Sequence, residues 1–432
     1  MSSLDIRHIR KEHFLDSVAL SAFAFQMELT PQQREERLAR MSEQEGWGAY
    51  VDGKLAARLT LLDLHIWLHG KRFNMGGIAG VATWPEYRRG GLVAGLLHHS
   101  LQVMKDQGQT LSFLHPFQFG FYRKFGWETY CDYIKYEIPT ALLPKLPAPP
   151  GRMVRVNHDM ELLNPIYRSY ATRYNGTLDR NEQWWQRRIF ENRKGDIVAY
   201  YDDNGVASGY VQYEVKDRVC KIHELVALHY EAEKALWRFI ADHDSMIEKV
   251  TLQAPADDRL PFLLDNPRIK QELVPYFMAR IVDVAGFLEQ FPFAANAGRV
   301  VQAGAGGGAR AGAVNETAAG TRELVLKIKD AHAEWNNGSF VVKIDATGAA
   351  SVEKLPEGSS IVSGAEAEGG GSIGSAGATG LSCDISTLAA IFMGYQQPSF
   401  LQRINRLQGS DEAVQSLEAL LPQQQTYLAD YF

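Results

Sequence analysis

The sequence contains 432 residues, which is enough for about three domains at roughly 150 residues each. Hydrophobic residues make up 45% and charged residues 22% of the chain. This balance is typical of globular proteins and excludes a collagen, a coiled coil and a wholly disordered chain. The net charge of -6 argues against a dedicated nucleic-acid-binding protein, because such proteins are usually basic.

The three cysteines, Cys131, Cys220 and Cys383, are far apart and form no CxxC pair. We therefore expect neither a disulfide framework nor a metal site. Residues 1–14 are charged throughout and contain no apolar segment of the kind found in signal peptides. Since no apolar run approaches about 18 residues, the sequence predicts no membrane span and a cytoplasmic location.

The first predicted domain covers residues 1–140 and combines strands with helices. Asp52 and Gly53 lie between two alternating segments, which predicts a hairpin with a type I′ turn. Apolar residues recur at helical spacing over residues 92–108 and predict an amphipathic helix. Five prolines fall between residues 139 and 150, and they predict a linker to the next domain.

The second predicted domain, residues 151–275, repeats the order of the first, which indicates a duplicated fold. The third predicted domain covers residues 276–432. Two Gly/Ala-rich stretches within it, residues 303–320 and 364–380, cannot fill a core and predict surface loops. The first stretch formally matches a dinucleotide-binding pattern. Because no strand and helix surround it, we expect no nicotinamide or flavin site.

The strongest chemical signal is the segment 81–97, which reads VATWPEYRRGGLVAGLL. A strand ends in a proline-containing turn, and two arginines and two glycines lead into an amphipathic helix. The first-turn amides of a helix are unpaired, and the helix dipole favours negative charge there. Gly90 and Gly91 allow a close backbone approach, and Arg88 and Arg89 can reach phosphate groups. The pattern predicts an anion-binding site; the alternative is a surface turn with two solvated arginines.

This segment resembles the signature of the GNAT N-acetyltransferases, Arg/Gln-x-x-Gly-x-Gly/Ala. Arg88 and Gly91 match the signature, and Val93 stands in place of its last small residue. A second block, FYRKFGW at 121–127, resembles the downstream GNAT block. One predicted helix and one predicted strand separate the two blocks, as that fold requires, so together they predict a GNAT domain.

The whole chain resembles the enhanced intracellular survival (Eis) type of acetyltransferase. The resemblance rests on VAT-x-P-x-x-RR-x-G, FYRKFGW, MARIVDV at 278–284 and the aromatic C-terminus. It implies an α/β (α+β) fold with two tandem GNAT-like domains, each with a mixed central sheet, and a C-terminal sterol-carrier-protein-like α+β domain. The active GNAT domain would cover residues 1–140, the second 151–275 and the sterol-carrier-like domain 276–432. The resemblance also implies a hexamer.

The same resemblance implies which residues bind acetyl-CoA, the co-substrate. Main-chain groups of Val81, Ala82 and Thr83 would bind the pantetheine arm and polarise the thioester carbonyl. Phe117 and Gln118 would lie along the coenzyme on the next strand. The pyrophosphate would be held by Arg88, Arg89, Gly90, Gly91, Leu92, Val93 and Ala94.

Two residues are implied in catalysis. The Tyr122 hydroxyl would be the general acid that protonates the departing thiolate; the alternative is a core tyrosine that is hydrogen-bonded elsewhere. The tail YLADYF would return to the first domain, where the α-carboxylate of Phe432 would be the general base. The alternative for Phe432 is a ring that only fills a hydrophobic gap.

The second domain is not expected to bind coenzyme. Glu231 and Glu233 stand where its equivalent turn would need an arginine and a glycine, and their charges would repel a pyrophosphate. We expect this domain to supply walls of the acceptor groove.

The sequence thus predicts an acetyl-CoA-dependent N-acetyltransferase, in which a primary amine attacks the thioester directly in a ternary complex. By resemblance, the acceptor is a cationic small molecule of the aminoglycoside type, with no nucleic-acid or membrane partner. The alternatives are a protein lysine acetyltransferase and a lipid-binding protein built on the third domain. Because amines bind well over aromatic faces, one or two members of an aromatic group are expected to line the acceptor site: Phe23, Phe25, Trp47, Trp67 and Trp84.

Overall fold

The computed structural model describes residues 5–147, 149–295, 321–356 and 380–432. The Gly/Ala-rich residues 303–320 and 364–379 lie outside the described part of the chain, and so do the predictions made for them. Gly380, the last residue of the second stretch, begins a strand.

The helices and strands have the following bounds in chain order. The first part of the chain forms β1 (Asp5–His8), α1 (Phe14–Ala24), α2 (Pro31–Arg40), β2 (Gly46–Val51), β3 (Lys54–Leu68), β4 (Lys71–Thr83), α3 (Leu92–Asp106), β5 (Leu111–Leu114), α4 (Phe119–Arg123), β6 (Glu128–Thr129) and β7 (Asp132–Pro139). The middle part forms β8 (Arg152–Val156), α5 (Met160–Ala171), α6 (Glu182–Trp184), β9 (Asp196–Tyr201), β10 (Ala207–Lys216), β11 (Val219–Ala227), α7 (Tyr230–Ala241), β12 (Lys249–Pro255), β13 (Lys270–Pro275) and β14 (Met278–Ile281). The last part forms α8 (Val284–Gln290), β15 (Arg322–Lys329), β16 (Gly338–Ile344), β17 (Ala350–Lys354), β18 (Gly380–Asp384), α9 (Ile385–Phe392), α10 (Pro398–Arg403), β19 (Leu407–Gln408) and α11 (Asp411–Leu420).

Three sheets organise the described residues. The first has the strand order β1-β2-β3-β4-β5-β14-β6, the second β13-β7-β12-β11-β10-β9-β8 and the third β17-β16-β15-β18-β19. Most neighbours are antiparallel, and each sheet contains a parallel pair: β4 with β5, β11 with β12 and β15 with β18. The expected fold, with two mixed α/β units followed by an α+β unit, is confirmed.

The hairpin between β2 and β3 forms where the sequence predicts it. Asp52 has φ 50° and Gly53 has φ 76°, so both central residues adopt the positive φ that a type I′ turn requires. The next hairpin, between β3 and β4, turns through His69 (φ 49°) and Gly70 (φ 72°). Both turns keep the twist of the flanking strands, which allows β3 and β4 to run as long paired strands.

The first two sheets exchange strands across the predicted domain boundaries. β7, which the sequence analysis includes in the first domain, pairs with β12 and β13 of the second sheet. β14, which was expected at the start of the third domain, pairs with β5 and β6 of the first sheet. Tyr130 N donates to Phe277 O (3.1 Å) and Tyr276 N to Cys131 O (3.0 Å), so the two crossings lie side by side.

Because of this exchange, the predicted linker does not join two sheets. The proline-rich residues 139–150 join β7 to β8, and both strands belong to the second sheet. The crossing residues Tyr130, Cys131 and Phe277 are fully buried. Buried backbone N–H and C=O groups need hydrogen-bond partners. Because the two crossing segments lie side by side, each supplies partners for the other.

Helices pack on the sheets and join them. α3 packs on β2, β3 and β4, and α1 packs on β3 and β4. Every residue of α9 is buried, and this helix contacts β6 and β14 of the first sheet as well as β18 of the third. In the described part of the chain no helix has the length and apolar character needed to cross a membrane.

Candidate active site

The first sheet opens between β4 and β5. These strands pair from Met75 with Leu111 to Ile78 with Leu114, and β4 then continues to Thr83 beside β3 alone. The β3–β4 register shifts at Gly80 (φ 57°), because Arg58 pairs with Ala82 while Thr60 pairs with Ala79. A bulge changes the direction of the backbone N–H and C=O groups. The edge of β4 from residue 79 to 83 can therefore form hydrogen bonds with an extended ligand.

The N-terminus of α3 lies at the end of this edge. Gly91 is the residue that precedes the helix, with φ 79°, and no side chain caps the first-turn amides. Arg89 also has a positive φ, 66°. Among the described residues, neither Arg88 nor Arg89 has an ion-pair partner. Free amides, the helix dipole and two available guanidinium groups together form a site for an anion such as a phosphate.

A single cavity of about 1200 Å³ connects these features. Most of the predicted site residues line it: Val81, Ala82, Thr83, Arg88, Arg89, Gly91, Leu92, Val93, Ala94, Phe117, Tyr122 and Phe432. Two predicted residues, Gly90 and Gln118, are exposed and are not among its lining residues. Phe117 and Gln118 lie in the loop between β5 and α4 rather than on a strand, because the strand ends where β4 and β5 diverge.

Tyr122 lies on α4 with its ring in contact with the rings of Phe117 and Phe121, at centroid distances of 5.3 and 5.1 Å. The residue is 2% exposed and lines the cavity. Its hydroxyl makes no hydrogen bond with the described residues, so it is not a core tyrosine bonded elsewhere. Burial raises the pKa of Tyr122 well above its ordinary value, and the phenol therefore stays protonated at physiological pH.

A buried ion pair supports the turn that carries Tyr122. Arg280, on the exchanged strand β14, donates to Phe125 O and to both carboxylate oxygens of Asp330, at 2.8 and 2.6 Å. Neither member of the Arg280–Asp330 pair has an exposed side chain. Gly126 has φ 87°, and a Cβ there would lie 1.7 Å from the Arg280 guanidinium. The glycine of the FYRKFGW block is thus required by a residue more than a hundred positions away.

The C-terminal residue reaches the same cavity. The Phe432 ring is 7% exposed and packs against Phe277 and Trp184, at centroid distances of 4.9 and 6.0 Å. A Cβ on Gly77 would lie 2.9 Å from this ring. The predicted return of the tail to the first domain is therefore present, and Gly77 leaves the space that the ring occupies.

Buried charges hold the tail in place. Arg180 donates from Nε to both oxygens of Asp430, at 3.0 and 3.1 Å, and from its two Nη atoms to Glu224. Trp184 Nε1 also donates to Asp430, at 2.9 Å. Burial alone would raise the pKa of Glu224, but the charge of Arg180 outweighs it and lowers that pKa to about 2. The second domain thus fixes Asp430, two residues before the end of the tail.

The equivalent helix of the second sheet is built differently. α7 begins after His229, whose Nδ1 accepts from Ala232 N at 3.3 Å, so a side chain occupies the position that is open at α3. Glu231 and Glu233 lie in the first turn. The local charge is therefore opposite to that of the Arg88–Arg89 turn.

Several residues of the cavity wall carry no recognisable signal in the sequence. Arg37, Arg58, Arg188 and His115 all line the cavity, although no motif singles them out. Of the aromatic group that was considered for the acceptor site, Phe25 lines the cavity. Arginines on a strand or helix are usually solvated, so only the three-dimensional arrangement shows that these side chains converge.

Comparison with known proteins assigns a family to each part of the chain. Residues 5–130 and residues 176–281 each match an acetyltransferase (GNAT) domain. Residues 284–429 match a sterol carrier protein domain. The duplication of the GNAT fold and the nature of the third domain are confirmed.

Relatives that are named as N-acetyltransferases align with long parts of this chain. An uncharacterized N-acetyltransferase of Streptomyces griseus is 24% identical over 69% of this chain and 79% of its own length. N-acetyltransferase Eis of Mycobacterium tuberculosis is 24% identical over 51% of this chain and 58% of its own length.

Solved structures match the whole architecture. A probable N-acyltransferase from Enterococcus faecalis V583 has a TM-score of 0.84 and 28% identity, with 100% of both chains covered. Eis1 from Mycobacterium abscessus shares the fold, with a TM-score of 0.74 and 19% identity over 99% of this chain and 100% of its own. The chain is therefore an acyltransferase, homologous to the Eis N-acetyltransferases, that carries two GNAT domains followed by a sterol carrier protein domain.

Proposed function

We propose that the chain transfers an acetyl group from acetyl-CoA to a primary amine of a small molecule. One observation carries the proposal: a single cavity is lined by the uncapped N-terminus of α3, the free edge of β4, Tyr122 and Phe432. Each of these features suits a different part of the reaction. Acetyl-CoA supplies an activated acyl thioester, and the chain supplies binding, orientation and proton transfer.

The coenzyme half of the cavity would be formed by β4 and α3. The main chain of Val81, Ala82 and Thr83 would pair with the pantetheine arm and hold the thioester carbonyl. The N-terminal amides of α3, together with the arginine turn, would hold the pyrophosphate; these are the residues Arg88, Arg89, Gly90, Gly91, Leu92, Val93 and Ala94. Phe117 would cover the arm, and Gln118 would contact its outer end.

The chemical step would use two groups of this chain. The neutral amine forms the new N–C bond, and the C–S bond breaks. The Phe432 carboxylate would accept the proton that the nitrogen loses, directly or through water, and the Tyr122 hydroxyl would protonate the departing thiolate. A free α-carboxylate has a pKa of about 3.5 and is a weak base, so the proposed role depends on its placement against the nitrogen or against a bridging water.

The acceptor belongs to the part of the cavity between α1 and the tail. An aminoglycoside is the acceptor class that the sequence resemblance implies. The second GNAT domain would act as a wall rather than as a second transfer site. We also propose a hexamer on the same resemblance, which analytical ultracentrifugation of the full chain would test.

The proposed function is tested by a thiol-release assay on the full chain with acetyl-CoA and a panel of amines, including an aminoglycoside, amino acids and a lysine peptide. An acetyl-CoA-only blank corrects for hydrolysis, and mass spectrometry identifies the acetylated product. We expect amine-dependent thiol release with a matching acetylated product. Thiol release that does not depend on any amine would contradict the proposal.

A further inference from the structure

The charge of the cavity wall identifies the acceptor more closely. Five arginines line the cavity: Arg37, Arg58, Arg88, Arg89 and Arg188. No aspartate or glutamate is among the described lining residues, so the acid proposed there is the carboxylate of Phe432. Arg88 and Arg89 belong to the coenzyme half, which leaves three arginines in the other half.

Arg58 lies beside the bulge that would hold the thioester. On β3 it pairs with Ala82 of β4, and a Cβ built on Gly80 would lie 3.6 Å from its Nη2. Its Nη1 donates to the hydroxyls of Ser17 and Ser21 on α1, both at 2.9 Å. The guanidinium therefore lies between α1 and the bulge, within a few ångströms of the proposed reacting centre.

Among the described residues, Arg58 has no counter-ion. Its three hydrogen-bond acceptors are the neutral hydroxyls of Ser17, Ser21 and Thr60, and no described carboxylate lies within ion-pair distance. Its Nε is buried without a partner. Because an arginine carries five N–H donors, at least one donor remains for a ligand. A half-buried guanidinium without a paired charge is costly, and a bound anion would offset that cost.

Arg37 adds positive charge to the same place. It lies on α2 and forms no ion pair with a described residue; its contact is with the sulfur of Met27, at 3.4 Å. Burial and the nearby charge of Arg37 lower the pKa of Arg58 to about 10, so the Arg58 guanidinium remains cationic at neutral pH. Arg188 lies over the Trp184 ring at 5.4 Å. The carboxylates of Glu45 and Asp430 act on the Arg188 charge, so a polycationic acceptor would meet chiefly the like charges of Arg37 and Arg58.

We propose that the acceptor is a primary amine that also carries an oxyanion, a carboxylate or a phosphate, a few bonds from the nitrogen. Arg58 binds the anionic group from the α1 side, and Arg37 assists from α2. The amine then lies between this group and the Phe432 carboxylate. This inference rests on the proposed amine acetylation and replaces the cationic acceptor class with a zwitterionic or anionic one.

The test compares acceptors that differ only in the anion. Phenylalanine is paired with phenylalaninamide, and O-phosphoethanolamine with ethanolamine, so that the two pairs distinguish a carboxylate from a phosphate. We expect kcat/KM to be about 10- to 100-fold higher for the anionic member of at least one pair, as for a charge-assisted hydrogen bond. In Arg58→Met that ratio should approach one, and Arg58→Lys should retain part of it.

Further variants separate recognition from structure. Arg37 lies on an exposed helix, and Arg37→Met should lower the ratio by several-fold. This variant replaces Arg58→Met as the test if Arg58→Met does not fold. Arg34→Met removes the same charge elsewhere on α2 and should leave the ratio unchanged. Ser17→Ala loosens the contact between Arg58 and α1; if it lowered stability but kept the ratio, Arg58 would be confirmed as the anion-binding group rather than only a strut.

Three results would overturn the inference. Equal kcat/KM within both pairs would remove it while leaving amine acetylation in place. An increase in the Kd of acetyl-CoA in Arg58→Met would assign the guanidinium to the coenzyme. If no amine were acetylated, calorimetry would decide, with N-acetylphenylalanine against its amide and O-phosphoethanolamine against ethanolamine. Tighter binding of the anionic member of either pair by the unmodified chain, lost in Arg58→Met, supports the anion site. Equal binding within both pairs contradicts it.

Discussion

At the scale of single residues, the environment of Tyr122 decides what its hydroxyl can do. The ring is fixed edge-on by Phe117 and Phe121, and the hydroxyl lacks a partner among the described residues. Because burial raises its pKa, the group does not ionise in the range where enzymes work. An alkaline loss of activity below about pH 10 would therefore have to come from another group.

Replacing Tyr122 with phenylalanine removes one oxygen and keeps the packing. We expect kcat to fall by about 10²- to 10⁴-fold, as for the loss of a general acid, while the Kd of acetyl-CoA is unchanged. Steady-state kinetics and calorimetry measure the two quantities, with Tyr230→Phe on the exposed surface as control. A normal kcat would show that the thiolate leaves without this proton.

Gly126 offers a second residue-scale test, because its Cβ space is filled. In Gly126→Ala the new methyl group would meet Arg280, and the positive φ adds strain of about 1–2 kcal/mol. Overpacking adds about 1–3 kcal/mol, so the free energy of unfolding should fall by about 3 kcal/mol.

The matched control for Gly126→Ala is Gly108→Ala. Gly108 has φ 71° and nothing within 4 Å of its Cβ position, so it carries the strain without the clash. Denaturant unfolding should show a loss of only about 1 kcal/mol there. Equal losses in the two variants would mean that Arg280 does not press on Gly126.

At the scale of elements, the β3–β4 hairpin connects the first sheet to the rest of the chain. His69 N donates to Asn175 Oδ1 at 2.9 Å, and the His69 ring meets Phe291 at 5.3 Å. Asn175 in turn donates to Met393 O at 3.0 Å. The tip of one hairpin thus contacts residues of the second and third domains. The protonation state of His69 therefore affects the packing of all three domains.

The hairpin predicts a pH dependence of stability. Burial lowers the pKa of His69 to about 4, below the value of about 6.5 in an unfolded chain. Between these two pH values the unfolded state binds more protons than the folded state. The contribution of His69 to the free energy of unfolding is therefore complete above pH 6.5 and is lost as the pH falls toward 4. His69→Asn keeps a residue that tolerates positive φ. Its stability should vary with pH less steeply, by up to about 1 kcal/mol per pH unit.

Denaturant unfolding at several pH values from 4.5 to 7 measures this slope. Burial also lowers the pKa of His223 to about 4, so the slope should fall further when His223 is replaced as well. Burial lowers the pKa values of four other histidines, His65, His98, His99 and His115, so part of the slope should remain in the double variant. A slope that His69→Asn leaves unchanged would contradict the assignment.

At the scale of the whole molecule, the cavity is completed by parts that are distant in sequence. β14 and Arg280 come after the strands of the second sheet in the chain, yet they complete the first sheet and support the turn that carries Tyr122. The tail crosses the second domain, where the buried Arg180 holds Asp430, and ends in the first. Removal of one partner from such a buried pair typically costs about 3–5 kcal/mol, so the tail is firmly held.

Local signals in the sequence were sufficient for part of this arrangement. The turn at Arg88 and Arg89 could be predicted because a strand, two glycines and an amphipathic helix follow one another directly. The pairing of β7 with the second sheet could not be predicted. The alternation of residues along a strand shows which face of the sheet each side chain lies on, but it does not show which strand is the partner. Arg58 was missed for a related reason: a lone arginine in a strand carries no sign that its counter-ion is absent.

The position of Phe432 leads to a prediction for the entire chain. Deleting Phe432, or adding a few residues after it, should abolish turnover, because both changes would remove or displace the proposed general base. Acetyl-CoA should still bind, since β4 and α3 are untouched. Adding the same residues at the N-terminus is the control. Full turnover in a C-terminally extended protein, with the extension verified by mass spectrometry, would leave Phe432 as a packing residue.

A crystal structure of the full chain with bound coenzyme A most directly tests whether acetyl transfer takes place in the cavity between β4, α3, Tyr122 and Phe432. We expect the pyrophosphate on the first-turn amides of α3, the pantetheine arm along residues 81–83 and the thiol within hydrogen-bonding distance of the Tyr122 hydroxyl. Coenzyme bound at α7 of the second domain, or a thiol remote from Tyr122, would contradict acetyl transfer in this cavity.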